Sequence, residues 1–195
     1  MPSLASNEST EIWLIRHGET AWSRSGRHTS RTDIPLTPAG EASAHALRER
    51  LKGIQFGGVL TSPSLRALDT CRLAGFAWQA RIEPNLSEWN YGIYEGKRTA
   101  EIQSETPGWS VWTAPIPDGE SLDQVAARAN QVIETATGIG GRVALFAHAH
   151  ILRILATCWI GNVPSLAQNL ILSTGSISVL GYERSTRAIT RWNCV

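Results

Sequence analysis

The sequence predicts an α/β fold in three layers, with helices covering both faces of a mainly parallel central sheet and an antiparallel edge strand. Three observations predict it. Short apolar runs recur at 11–16, 57–61 and 142–147, each the length of a buried strand rather than of a helix. Stretches with helical spacing lie between and after them, and strands that alternate with helices pair in parallel and need cover on both faces. Near the C-terminus two strand-like segments are joined by a short polar turn, which makes a hairpin and places an antiparallel strand at one edge.

Taken in order, residues 1–10 are polar, lack an apolar stretch of signal-peptide length, and read as a frayed tail. The first strand is the run Glu-Ile-Trp-Leu-Ile-Arg at 11–16. Residues 38–53 carry Leu47 and Leu51 four apart, one face of a helix. Strand 57–61 is followed by Ser62-Pro63, a capping residue before a proline, which opens a helix over 63–73. A strand is expected at 81–86. The segment 104–120, with three prolines and two tryptophans between 106 and 119 and no period, reads as a lid loop over a site. A helix over 121–135, the strand Arg-Val-Ala-Leu-Phe-Ala at 142–147 and a helix over 151–159 follow. The hairpin strands are 176–182 and 188–192, turning through Arg184, Ser185 and Thr186. No repeat breaks the chain, and 195 residues suit one domain, 1–195.

The formal net charge of +1 gives no basic field for nucleic acid, so any anion must be met by a local group of cations. No apolar run reaches the roughly 20 residues of a membrane span. Cys71, Cys158 and Cys194 are odd in number and lack Cys-x-x-Cys spacing, which argues against a disulfide framework or thiolate metal site and for a reducing cytoplasm. No cofactor is implied. Nothing specifies an oligomer, and a homodimer stays open.

In open α/β sheets, ligands bind where strands end and helix N-termini point inward. His17 follows the first strand, Arg66 lies in the first turn after the second, Glu88 follows the run ending at Leu86, and His148 follows strand 142–147. All four fall on one rim. Together they supply what phosphoryl transfer needs: an imidazole nucleophile, guanidinium forks from Arg16 and Arg66 on the equatorial oxygens, a further donor at His148, and a carboxyl for the leaving oxygen at Glu88. A carboxylic acid in that role must be neutral, so the Glu88 pKa is expected to be raised by burial and phosphate charge. The partners expected are a small phosphorylated substrate and inorganic phosphate.

The same residues carry a resemblance. Leu14-Ile15-Arg16-His17-Gly18-Glu19-Thr20, Ser62-Pro63-Ser64-Leu65-Arg66-Ala67, Leu86 to Gly96, and Phe146-Ala147-His148-Ala149-His150 resemble, in order, four motifs of the histidine phosphatase superfamily, which includes phosphoglycerate mutases. The resemblance implies a phosphoglycerate mutase-like fold, with His17 as phosphohistidine nucleophile, Glu88 as proton donor and acceptor, and Arg16, Arg66 and His148 as phosphate ligands. The segment 23–37 resembles the loop that supplies hydroxyl or backbone contacts to phosphate, which brings in Ser23, Thr29 and Ser30. Ser30 and Ala149 stand where the family often has glycine, and a left-handed conformation at Ala149 would cost roughly 1 to 2 kcal/mol.

Mutases of this family carry a lysine where this chain has Thr99, and an arginine pair in a longer insertion; residues 100–119 contain neither Arg nor Lys. The resemblance therefore implies hydrolysis, and several phrases look most like the sugar-phosphate and sedoheptulose-bisphosphatase-like branch. A phosphoglycerate mutase, a phosphoprotein phosphatase and a catalytically silent phosphate binder are the alternatives. Of Trp22, Trp89, Trp109 and Trp112, Trp89 is preferred as a substrate contact because it adjoins Glu88, and Tyr91 and Ala149 join it. His28 and His150 are read equally as substrate contacts or packing, Arg27 and Arg31 as ligands of a second phosphate or solvated residues, and Cys71 as an inert thiol. His148 and His150 as a metal pair lack a third ligand, so no metal site is expected.

Overall fold

The computed structural model describes residues 10–195. The predicted tail thus lies outside the described residues except for Thr10, which is buried. One six-stranded sheet organises the rest, in the order β3-β2-β4-β1-β5-β6. Its strands are β1 (Glu11–Arg16), β2 (Gly58–Thr61), β3 (Ala80–Ile82), β4 (Arg142–Ala147), β5 (Ile177–Glu183) and β6 (Thr186–Cys194). The first four pair in parallel, β5 runs antiparallel to β1, and the edge strand β6 pairs antiparallel to β5 across a two-residue turn in which Arg184 takes φ +56°. The expected hairpin is present.

The alternation of β1 sorts the core onto two faces. Ile12 and Leu14 face α5 (Leu122–Ile139) and α6 (Ala149–Gly161), where Val125, Ala129, Val132, Ile151 and Leu155 are buried. Trp13 and Ile15 face α2 (Pro38–Arg50) and α3 (Leu65–Leu73), meeting Leu47, Leu51 and Cys71. Two short helices complete the set, α1 (Ala21–Ser25) and α4 (Thr99–Glu105), together with single 3-10 turns at Pro84–Leu86, Gly92–Tyr94 and Pro164–Asn169.

Three expectations need correction. The strand expected over 81–86 ends at Ile82, because Pro84 has no N–H to pair and the Glu83 carboxylate turns the chain by accepting the Asn85 N–H at 3.0 Å. Ser62 does not cap α3: its hydroxyl is taken by His148, Ser64 is extended, and the Leu65 N–H donates instead to the Asp33 carboxylate at 2.9 Å. The segment 104–120 begins inside α4, and its remainder packs Trp109, Val111 and Ile116 into the core. It forms a packed wall of the site. Gly92 fixes its far end, since at φ +49° a Cβ there would lie 1.9 Å from the Pro117 carbonyl oxygen. Among the described residues no helix is long and apolar enough to cross a membrane.

Candidate active site

β1 delivers Arg16 and His17 to the rim, and its last hydrogen bonds hold the histidine still. The His17 N–H donates to the Ala147 carbonyl at 3.0 Å, and the next amide, Gly18, donates to the Thr70 hydroxyl of α3 at 3.0 Å. The His17 Nδ1 lies 2.7 Å from the Gly18 carbonyl oxygen. A carbonyl can only accept, so the ring proton sits on Nδ1 and Nε2 carries the free lone pair. Burial, then the charges of Arg16 and Arg66, push the His17 pKa down to about 3. At neutral pH the ring is uncharged, with the Nε2 lone pair free.

Arg66 is fully buried and acts as a clamp. Its Nε–H donates to His148 Nδ1 at 3.2 Å, Nη1 to the Thr32 carbonyl, and Nη2 to the carbonyls of Thr29 and Ser30. With Nδ1 accepting, His148 bears its proton on Nε2 and donates it to the Ser62 hydroxyl at 2.7 Å. The His148 ring stands 5.2 Å from that of His17, centroid to centroid, and burial with the Arg66 charge holds its pKa well below the usual range. Both residues are therefore adjacent to His17, yet most of their donors are engaged within the protein. Arg16 differs. Its Nη1 donates to the Leu172 carbonyl, while its Nε is buried without a partner. A buried, unsatisfied guanidinium donor is costly unless an anion takes it.

Glu88 is almost fully buried at the N-terminus of α6. Its Oε1 accepts the N–H groups of Trp89 at 2.9 Å and Ile151 at 3.0 Å, and its Oε2 accepts that of His150 at 3.0 Å. Burial favours the neutral acid, but the His150 contacts, the nearby histidines and this cradle of amides win, and the carboxyl lies well below its usual range. The expectation of a raised pKa is therefore corrected: the His150 contacts, with the nearby histidines and the amide cradle, favour the anion more than burial penalises it.

A cleft of about 350 Å³ opens on this rim. Arg16, His17, Ser23, Thr29, Glu88, Tyr91 and Ala149 line it. Arg66 and His148 lie beneath its lining. Ser30 is buried with its N–H on the Glu95 carboxylate, at 2.8 and 2.9 Å from the two oxygens, and does not line the cleft. Trp89 also stays out of it, donating Nε1–H to the Glu120 carbonyl and packing edge-on against Trp112. Neither Ser30 nor Ala149 adopts a left-handed backbone, so both tolerate the loss of glycine without strain. Arg27 lines the cleft, whereas Arg31 faces a separate groove. Among the described residues no group of three His, Cys, Asp or Glu is placed to hold a metal ion.

With this geometry in place, comparison with known proteins gives a consistent answer. The model of the histidine phosphatase superfamily (branch 1) matches residues 12–195. The chain belongs to the histidine phosphatase superfamily. It is 37% identical over 182 residues to an acid phosphatase of Mycobacterium tuberculosis, covering 91% of this chain and 89% of that protein. It is 33% identical over 194 residues to the sedoheptulose 1,7-bisphosphatase of Saccharomyces cerevisiae, covering 83% and 70% respectively. A solved open reading frame of Mycobacterium tuberculosis superposes with a TM-score of 0.90 at 34% identity, over 95% of this chain and 98% of that one.

In this histidine phosphatase the structure adds residues that motif reading left aside. α4 and the wall after it bring Thr99, Gln103, Trp109, Ser110, Val111 and Trp112 to the cleft, and His28 and His150 face them. The His28 Nε2 sits 3.3 Å from the Thr99 hydroxyl, and burial, then charge on His150, lower its pKa to about 4. The sequence signal was the pair Trp109 and Trp112 in a proline-rich stretch, and it ranked below Trp89 because adjacency to Glu88 in sequence is not adjacency to the cleft.

Proposed function

We propose that this chain hydrolyses phosphate monoesters of small metabolites, sugar phosphates or bisphosphates first, through a phosphoryl group carried on His17. The observation that supports it most is the tautomer of His17: the Gly18 carbonyl fixes the proton on Nδ1, so Nε2 is a neutral nucleophile beside the unpartnered Arg16 Nε. The lone pair of Nε2 attacks phosphorus, the P–O bond to the leaving group breaks, and the protonated Glu88 carboxyl gives its proton to the leaving oxygen. Water then attacks the phosphohistidine, Glu88 accepts its proton, and phosphate leaves with His17 restored. Arg16 meets the equatorial charge directly, and Arg66 and His148 fix the floor beneath it. The rest of the cleft offers indole faces and hydroxyl and amide groups, which suits a polyol body. Among the described residues the one Arg or Lys lining the cleft beyond Arg16 is Arg27, already held by the Gly96 carbonyl at 2.6 Å and by Glu101 at 3.6 Å. A retained bisphosphate, as a mutase needs, has little to hold it. The three free thiols, Cys71 and Cys158 buried and pushed up to about 12 and about 11, fit a reducing compartment such as the cytoplasm.

The deciding experiment is phosphate release from a panel of mono- and bisphosphorylated sugars, phosphoglycerates and nucleotides, with chelator present. The native chain is expected to turn over and to yield an acid-labile phosphoenzyme, and His17→Ala to lose both by at least about a thousandfold. Full activity in His17→Ala overturns the reading.

A further inference from the structure

The cradle around Glu88 leaves a difficulty for the chemistry just described. Three amides hold that carboxylate as an anion, yet the leaving oxygen needs a proton from it. We propose that His150, held by Tyr91, stores the proton that Glu88 delivers; the inference rests on Glu88 being the acid.

His150 is placed for this by its own backbone. As the second residue of α6 it presents its N–H to Glu88 Oε2 at 3.0 Å, which brings its ring Nδ1 to 3.8 Å from the same oxygen. The other neighbour of Nδ1 is the Tyr91 hydroxyl at 2.6 Å. Burial, with the Glu88 charge, keeps Tyr91 a phenol, and a phenol can both donate and accept. When His150 is neutral the hydroxyl donates to Nδ1; when His150 is charged Nδ1–H donates to the hydroxyl oxygen, with the Glu88 Oε2 3.8 Å away as the counter-charge. One side chain thus accommodates both protonation states without moving a heavy atom. The groups facing His150 are Glu88 and Tyr91 from the loop after the 3-10 turn at 84–86, and His28, whose ring lies 6.3 Å away. Arg16 lines the same cleft, and Arg153 of α6 stacks on Trp112, which in turn packs on His150.

The cycle balances. A proton moves from the His150 imidazolium to Glu88 as the phosphate dianion fills the site, and from Glu88 to the leaving oxygen as the P–O bond breaks. Water attack returns one proton to Glu88, which hands it back to His150 when phosphate departs and the amides again favour the anion. No proton is consumed beyond that of the attacking water.

The test uses two esters, p-nitrophenyl phosphate, whose leaving group needs little protonation, and a simple alkyl phosphate, which needs it fully. For His150→Gln, kcat is expected to fall about 30-fold or more on the alkyl ester and less than about threefold on the aryl ester, with KM nearly unchanged. The high-pH limb of kcat is expected to move down by at least about one pH unit, because the proton must then sit on Glu88 alone. Tyr91→Phe shows the same pattern, more weakly, and His150→Gln costs nothing further in a Glu88→Gln background. Equal losses on both esters, an unmoved limb, or additive losses overturn the proposal. Phosphoenzyme formation from the aryl ester is measured on each variant: if it persists in His150→Gln while the limb stays put, only the proton store fails, whereas activity in His17→Ala overturns the underlying reading.

Discussion

At the scale of single residues, protonation is decided by which neighbour can only accept and which can only donate. The Gly18 carbonyl sets one tautomer on His17, and the Arg66 Nε–H sets the opposite one on His148. The two rings lie side by side with different roles although each follows a parallel strand. The clamp is specific to guanidinium. Arg66→Lys keeps the charge but replaces a planar fork reaching one imidazole and three carbonyls with one ammonium. It is expected to lower kcat/KM by about a hundredfold and stability by about 2 to 4 kcal/mol, read from kinetics and urea melts. Sequence reading placed His17, Arg16 and Glu88 at the cleft because strand ends are legible from apolar runs. It assigned Arg66 and His148 to phosphate contact, and spacing could not show that their donors also engage each other, Ser62 and the 29–32 backbone. The Glu88 protonation state was likewise out of reach, since it depends on amides at His150 and Ile151, 62 and 63 residues away.

At the scale of elements, the site depends on close backbone approach. The turn after His17 lies on the first turn of α2: a Cβ at Gly18 would sit 2.4 Å from the Gly40 carbonyl oxygen, and one at Gly40 would sit 2.1 Å from that of Glu19. Gly40→Ala must therefore push the His17 turn away from α2. We expect a loss of about 3 kcal/mol, seen as a fall of roughly 10 °C in melting temperature, with kcat reduced more than tenfold by misplacement of Nε2. The sequence marked Gly18 through its motif and left Gly40 as one residue of an amphipathic pattern, because the contact joins two elements. The α4 wall was legible only as a loop over the site, for a related reason. Its aromatic and polar residues obey no period, and only the packing of Trp109 and Ile116 shows that the stretch is fixed. Arg27, which lines the same cleft, makes a further expectation at this scale. Arg27→Ala is expected to change kcat/KM by less than about threefold for a sugar monophosphate and by about tenfold for the matching bisphosphate if a second phosphate reaches that end of the cleft, as paired kinetics would read.

At the scale of the whole molecule, burying three neutral histidines around one cleft costs stability in acid. His17, His28 and His148 are buried and neutral in the folded chain, with pKa values lowered to about 3, to about 4 and well below the usual range, respectively. Unfolded, each takes up a proton near pH 6.5. A lowered folded pKa means that the unfolded state binds more protons, so the stability these groups contribute is complete above pH 6.5 and is lost as pH falls toward 4. Each histidine forfeits about 2 kcal/mol between pH 7.5 and 5.0, about 6 kcal/mol in all, a large share of what a domain has. Glu88, with its own lowered pKa, extends the loss below the usual carboxyl range. Melting temperature measured across this window is expected to drop by more than about 10 °C, and His28→Gln to remove about a third of the drop. Inorganic phosphate is expected to restore part of it, about 2.7 kcal/mol at a hundred times its dissociation constant, because it meets the buried Arg16 Nε in the folded chain alone. A melting temperature flat from pH 7.5 to 5.0 would mean that these histidines are not held neutral, and His17 would then lack the free lone pair on which phosphoryl transfer depends.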